Sequence, residues 1–243
     1  MAVLLGVDTG GTYTDAVLVE DDKTVLASAK SLTTRSDLAQ GIGVSVAAVI
    51  DRAGVDPASI AMAALSTTLA TNALVEGHGG RVALVYIGFN RKDLATHGLT
   101  DALAGDPLIV LEGGHTHAGV EAAPLDGVAL SYWLAGLVGV SAFAVASQFG
   151  TRNPAHELKA AEIIRAATGA PVSCSHHLSA KLNGPKRALT ALLNARLIGM
   201  IDRLIGRAQD ALIASGVNAP LMVVRGDGAL ISAAMARERP IET

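Results

Sequence analysis

The chain has 243 residues, half of them hydrophobic and 17% charged, with a formal net charge of −3. That balance excludes a disordered chain, and the lack of any Lys/Arg block argues against nucleic acid or an anionic membrane surface as partner. The single cysteine, Cys174, excludes an internal disulfide; it fits a reducing cytoplasm and reads as a small buried hydrophobe.

The N-terminus has no basic flank, and its apolar run ends at Asp8 after a few residues, so it reads as a strand and not a signal peptide. Strands are predicted over 2–7, 15–20 and 24–30, joined by turns at Gly10-Gly11 and Asp21-Asp22. The chain would thus open with a three-stranded antiparallel meander. Ser36 is the expected N-cap of a helix over 37–53 that ends at Gly54. A strand follows over 60–65, a helix over 68–76 and a buried strand over 81–87. After an apolar run at 107–111, the Gly- and His-rich stretch 112–124 reads as a loop or hairpin.

The apolar stretch 132–149 contains glycines and β-branched residues, which suits a buried helix followed by a strand better than a membrane span. Helix is expected over 126–138 and strand over 141–147. Asn153-Pro154 opens a helix to about Thr168, with Asn at the cap and Pro at the first helical position. A short strand at 172–175, a long amphipathic helix at 185–215, a strand at 221–224, a turn at Asp227-Gly228 and a helix over 230–237 complete the chain. Alternating helix and strand imply an α/β fold.

The segment Asp8-Thr-Gly-Gly-Thr-Tyr-Thr-Asp15 carries the strongest chemical signal. Glycines at a tight bend let backbone N–H groups approach phosphate oxygens, because no Cβ intervenes. Thr9, Thr12 and Thr14 add hydroxyl donors. Asp8, at a strand end, is suited to hold magnesium through water. The Lys-Ser/Thr ending of a Walker loop is absent.

Those eight residues resemble the first phosphate motif of the actin, Hsp70 and sugar-kinase superfamily, and within it hydantoinase A and 5-oxoprolinase. The resemblance extends to Thr67-Thr-Leu-Ala-Thr-Asn-Ala-Leu-Val-Glu-Gly77, to Gly113-Gly-His with Pro124-Leu-Asp126, and to Arg152-Asn-Pro-Ala-His-Glu157. It continues through Ser175-His176 with Arg187 and Thr190, and through Val224-Arg-Gly-Asp-Gly228 with Pro240-Ile-Glu-Thr243. Two positions depart from the family wording: Leu65-Ser66 stands where His-Gly is frequent, and His177 where Glu is frequent.

The resemblance implies a ribonuclease-H-like first lobe of an actin-like ATPase, a mixed sheet opening with the antiparallel meander, and an incomplete second lobe. Residues 1–175 would form the N-terminal region with the phosphate hairpin, and 176–243 the truncated start of the catalytic region. The implied activity is ATP- and magnesium-dependent hydrolysis of a cyclic amide of hydantoin or 5-oxoproline type, through phosphorylation of the carbonyl. Nucleotide would be bound by Asp8, Thr9, Gly10, Gly11, Thr12, Tyr13, Thr14 and Asp15. Only half of the phosphate clamp is expected in this chain, so alone it would bind nucleotide weakly and turn over little.

Alternatives are an ATPase subunit of an acetone-carboxylase-like enzyme, a small-molecule kinase, or a non-catalytic assembly module. A hydantoinase B-like subunit or a homo-oligomer is the expected protein partner.

Further catalytic candidates are Thr67, Thr68, Asn72, Arg187 and Asp227. The threonines and Asn72 open a helix, where they either face a cleft or cap the first turn. Arg187 suits bidentate recognition of phosphate or carboxylate, or lies on the surface at a helix start. Asp227 reads as a turn residue before an active-site acid, and Glu157 as a first-turn helix acid. His115, His117, His176 and His177 read as exposed loop histidines, with metal or substrate contact as the alternative.

Overall fold

The computed structural model describes residues 2–21, 23–34 and 37–243, so the expected roles of Asp22 and Ser36 lie outside the described residues. The chain divides into two compact units, 1–78 with 200–243, and 79–199. The second is inserted in the sequence of the first. These units partition the chain differently from the regions 1–175 and 176–243 expected from the resemblance.

The first unit opens with β1 (Val3–Thr9), β2 (Tyr13–Glu20) and β3 (Thr24–Leu32), the expected antiparallel meander. Helix α1 (Leu38–Ala53) leads to β4 (Ile60–Thr67), which is parallel to β1, and to α2 (Leu69–Val75). Asp37 caps α1 by accepting from the Ala39 N–H at 3.2 Å, and Gly54 ends it in the left-handed conformation.

The inserted unit holds β5 (Val82–Ile87), α3 (Leu99–Leu103), β6 (Leu108–Leu111), α4 (Gly127–Ala135), β7 (Ala142–Ser147), α5 (Ala155–Thr168), β8 (Val172–Cys174) and α6 (Ser175–Leu178). Helix α7 (Gly184–Ala214) begins there and ends in the first unit, which is completed by β9 (Leu221–Val224), β10 (Leu230–Ser232) and α8 (Ala233–Glu238). Several expectations shift, among them the end of α4 at Ala135 and the helical Ser175–Leu178. Helix α5 begins one residue late, with Asn153 Oδ1 accepting from the Ala155 N–H at 3.0 Å. Residues 230–232 form a strand paired with β9, not the start of a helix.

The first unit's sheet runs β10-β9-β4-β1-β2-β3. Its pleat sorts the side chains cleanly. Leu5, Val7, Ala16, Leu18 and Ala29 are buried, as are Ile42, Val46 and Val49 of α1, which packs across β1, β2 and β3. On the opposite face, Gly6, Asp8, Asp15, Val17, Ser28, Lys30, Ala64 and Ser66 line an open cavity of about 440 Å³.

The inserted unit's sheet, β6-β5-β7-β8, is wholly parallel. Strands β5 and β7 are buried on both faces, as parallel strands between helices must be. Val82, Leu84 and Tyr86 pack with α3 and with Ala188, Ala191 and Leu192 of α7. Ala83, Val85 and Ile87 pack with Leu130 and Leu134 of α4 and Ala160 and Ile164 of α5.

Candidate functional site

The hairpin between β1 and β2 is the bend expected from the Asp8–Asp15 motif, and its register decides what each residue offers. Asp8 pairs with Asp15 and Thr9 with Thr14. Strand alternation therefore sends the two acids to the open face and the two threonines to the face covered by α1. Asp15 forms an ion pair with Lys30 at 3.2 Å, and the Lys30 ammonium lies 5.0 Å from the centre of the Tyr13 ring.

Thr14 is 0% exposed and shares a 3.0 Å hydrogen bond with the Thr33 hydroxyl, so its own is spent inside the fold, contrary to the expected phosphate role. Thr9 differs. It is 3% exposed, yet its Oγ1 has no hydrogen-bond partner among the described residues. Such a buried hydroxyl costs free energy unless a ligand or water satisfies it.

At the tip, Gly10 N–H donates to the Tyr13 carbonyl at 3.0 Å and closes the turn. Among the described residues, no protein group accepts from the N–H groups of Gly11 and Thr12. No atom lies within 4 Å of where a Gly11 side chain would begin. Thr9, Gly10 and Gly11 line a cavity of about 310 Å³ together with Thr68 and Asn72. Thr67 is drawn off: its hydroxyl accepts from the Leu69 N–H at 3.0 Å and caps α2. Asn72 Nδ2 donates to Thr68 Oγ1 at 3.3 Å.

These residues fit a polyphosphate and a divalent cation. The bend has two unspent main-chain donors, an unsatisfied hydroxyl and open space at Gly11. The open face has two facing carboxylates, of the hard-oxygen type that magnesium takes.

Asp227 and Arg187 lie elsewhere. Asp227 forms an exposed ion pair with Arg225, whose Nε donates to Oδ1 at 2.9 Å. The hydrogen bond from Arg225 holds its carboxyl well below the ordinary carboxylate range. It is a turn residue tied to its neighbour.

Arg187 is neither on the surface nor directed at an open cleft. It is 1% exposed, and burial lowers the pKa of its guanidinium from the ordinary value. Its Nη1 donates to the carbonyls of Lys181 and Leu182, each at 2.9 Å, its Nη2 to that of Ser147 at 2.7 Å, and its Nε to Ser175 Oγ at 3.2 Å.

Glu157 lies in the first turn of α5, as expected, and is 0% exposed. It accepts from Ser147 N–H (2.9 Å), Ser175 Oγ (2.7 Å), His176 N–H (3.0 Å) and His176 Nδ1 (2.7 Å). Burial pushes its carboxyl up, but the hydrogen bonds from His176, Ser175 and Ser147 outweigh that and hold it below the ordinary value. Cys174 lies close to Glu157 and His176, and burial pushes its thiol up to about 12.

Two of the four expected loop histidines are not exposed. His176 is nearly enclosed against Glu157, and His115 is buried with its ring centre 4.5 Å from that of His156. Gly114 N–H donates to His156 Nδ1 at 2.8 Å, so the Nε2 proton of His156 points to Glu121, 2.9 Å away. The sequence signal for this cluster was the resemblance of Gly113-Gly-His, Arg152–Glu157, Ser175-His176 and Arg187 to family stretches, which did not show that these residues meet.

No helix among the described residues is long and apolar enough to cross a membrane. Caprolactamase subunit alpha of Pseudomonas jessenii is 28% identical to this chain, over 98% of the chain and 37% of its own length. Acetophenone carboxylase gamma subunit of Aromatoleum aromaticum (strain DSM 19018 / LMG 30748 / EbN1) is 28% identical, over 92% of the chain and 35% of its own length. The crystal structure of the ATP-dependent caprolactamase from Pseudomonas jessenii superposes with a TM-score of 0.80 at 28% identity, over 98% of this chain and 38% of that one. Nucleotide-free acetone carboxylase shares the fold, with a TM-score of 0.78 at 17% identity over 99% of this chain and 39% of that one. The chain thus spans a little over a third of the length of these relatives. The family described as hydantoinase/oxoprolinase N-terminal region matches residues 4–168, well over half of the chain, and the chain belongs to that family.

Proposed function

We propose that this chain contributes the first phosphate-binding hairpin of an ATP-dependent enzyme that opens a cyclic amide by phosphorylating its carbonyl oxygen. The observation that carries the reading is the bend at Thr9–Thr12, with an unsatisfied buried hydroxyl and two unspent main-chain N–H groups beside open space. Thr9, Gly10, Gly11 and Thr12 hold the phosphate chain. Asp8 and Asp15 hold magnesium, at least partly through water. Bound ATP would supply a phosphoryl group to the carbonyl oxygen, which makes the carbonyl carbon open to attack by water; the C–N bond breaks, and the group leaves as inorganic phosphate. The hairpin's share is to fix that group and spread its charge over fixed donors. Thr68 and Asn72, on the same cavity, orient what lies against the hairpin.

The relative named ATP-dependent caprolactamase supports the cyclic-amide class. The relative named acetophenone carboxylase gamma subunit supports a second reading, ATP-driven activation of a carbonyl compound for carboxylation. Subunit names in both relatives support a partner subunit. The single buried thiol supports a cytoplasmic setting. Residues 176–243 are assigned to the start of the region that follows the family's N-terminal one.

The test is turnover by the complete enzyme with its partner, using hydantoin, 5-oxoproline and caprolactam in the presence of MgATP. Ring opening with equimolar inorganic phosphate supports the proposal. A stable phosphoester product, or carboxylation with no ring opening, replaces it.

A further inference from the structure

The parallel sheet of the inserted unit has a topological switch point. Strands β5 and β7 are neighbours, yet the connection leaving β5 covers one face through α3 and that leaving β7 covers the other through α5. Small ligands bind outside the carboxyl ends of strands at such points. At the end of β7 the chain does unusual things. Phe149 adopts φ +53°, a left-handed conformation that is strained for an aromatic residue. Gly150 is pressed onto Glu157, so that a Cβ there would begin 2.3 Å from Glu157 Oε1. Just beyond lies a cavity of about 280 Å³ lined by Gly150, Thr151, Arg152 and His176.

The donors and acceptors around this cavity differ in kind. His176 Nδ1 lies 2.7 Å from Glu157, and in the neutral ring whose Nδ1 donates there, Nε2 is a lone-pair acceptor without a partner among the described residues. Arg152 can only donate, is exposed, and pairs with no carboxylate among the described residues. Thr151 Oγ1 is buried and has no partner among the described residues. Behind them the Glu157 charge is spent on four hydrogen bonds, so the cavity presents the positive charge of Arg152. The volume lies just under the roughly 300–1,000 Å³ of sites for drug-sized ligands, which suits a small ligand.

We propose that this cavity binds a small carboxylate bearing an O–H or N–H donor on the adjacent carbon, the carboxylate on Arg152 and Thr151 and the donor on His176 Nε2. The site lies within the inserted unit and does not depend on the hairpin reading. An arginine–carboxylate contact is charge-assisted and strong. A histidine acceptor left unpaired by a ligand lacking the donor makes the site selective.

The experiment is titration of the chain, carrying isotopically labelled histidine, with lactate, N-acetylglycine and propionate, read at the His176 ring resonances. Lactate separates a hydroxy-acid source from the amide N–H of N-acetylglycine. One or both should give a saturable shift, with propionate at least about tenfold weaker. Arg152→Ala, a change at an exposed side chain, should weaken the binding about tenfold or more while leaving the thermal midpoint unchanged. Thr151→Val should weaken it as well. Equal affinity for propionate, no saturable shift with any of the three, or undiminished binding in Arg152→Ala each overturns the proposal.

Discussion

Asp8 and Asp15 are cross-strand partners whose carboxylates face the same open side of the first sheet. Like charges directly opposite one another destabilise a strand pair, by about 0.2–1 kcal/mol. Lys30 offsets Asp15 only, and from a partly solvated position. A bound divalent cation would relieve the remainder. Asp8→Asn should therefore leave the metal-free chain as stable as the parent, or up to about 1 kcal/mol more stable, and remove the stabilisation that magnesium confers. Urea unfolding with and without magnesium chloride checks both. A marked loss of metal-free stability contradicts the assignment.

Gly41 of α1 sits where a Cβ would begin 2.8 Å from Thr14 Oγ1 and 3.3 Å from the Leu32 carbonyl. Replacing a helical glycine by alanine ordinarily gains about 1 kcal/mol. Overpacking costs about 1–3 kcal/mol, and here the backbone contact leaves little room to yield. Gly41→Ala should lower the thermal midpoint, and a raised midpoint would show that α1 does not approach Thr14 this closely.

Glu157 should dominate the acid limb of stability. Its folded pKa lies below the ordinary value of 4.5, so its contribution is present above about that pH and fades as pH falls through the lower folded value. Glu157→Gln should cost on the order of 3–5 kcal/mol at neutral pH, since Arg187 and the donors around it lose their charged partner. The difference from the parent should shrink below pH 4.5. Urea unfolding at pH 7 and in acid measures it, and a constant difference contradicts the buried charge.

Cys174 is buried, and burial together with the nearby Glu157 carboxylate pushes its thiol up to about 12. An aromatic disulfide reagent at pH 8 should therefore react only after denaturant is added. Stoichiometric labelling of the native chain would show that the thiol is accessible.

The meander, α1 and the long α7 were legible because alternation of period 2, a capped helical stripe and Gly10-Gly11 are local signals. Register places Thr9 and Thr14 on the same face, but the partner of Thr14 and its close packing come from Thr33 and Gly41, distant positions that the motif does not name. The burial of Glu157 was hidden for the same reason. Local sequence makes it a first-turn acid, while the ends of β7 and β8 bring Ser147, Ser175 and His176 to its oxygens. Arg187 reads as a surface helix residue until those same partners are in place. The short β10 escaped because three residues, Leu230 to Ser232, carry too little alternation to stand out from a helix.

The hairpin account is tested most directly by titrating MgATP calorimetrically into the complete enzyme and its Gly11→Val variant. A side chain at Gly11 meets no protein atom within 4 Å of its first carbon, so the change enters the space assigned to phosphate without disturbing the fold. The account predicts at least about a tenfold loss of affinity with an unchanged thermal midpoint. Undiminished binding in Gly11→Val would place the phosphates away from this bend.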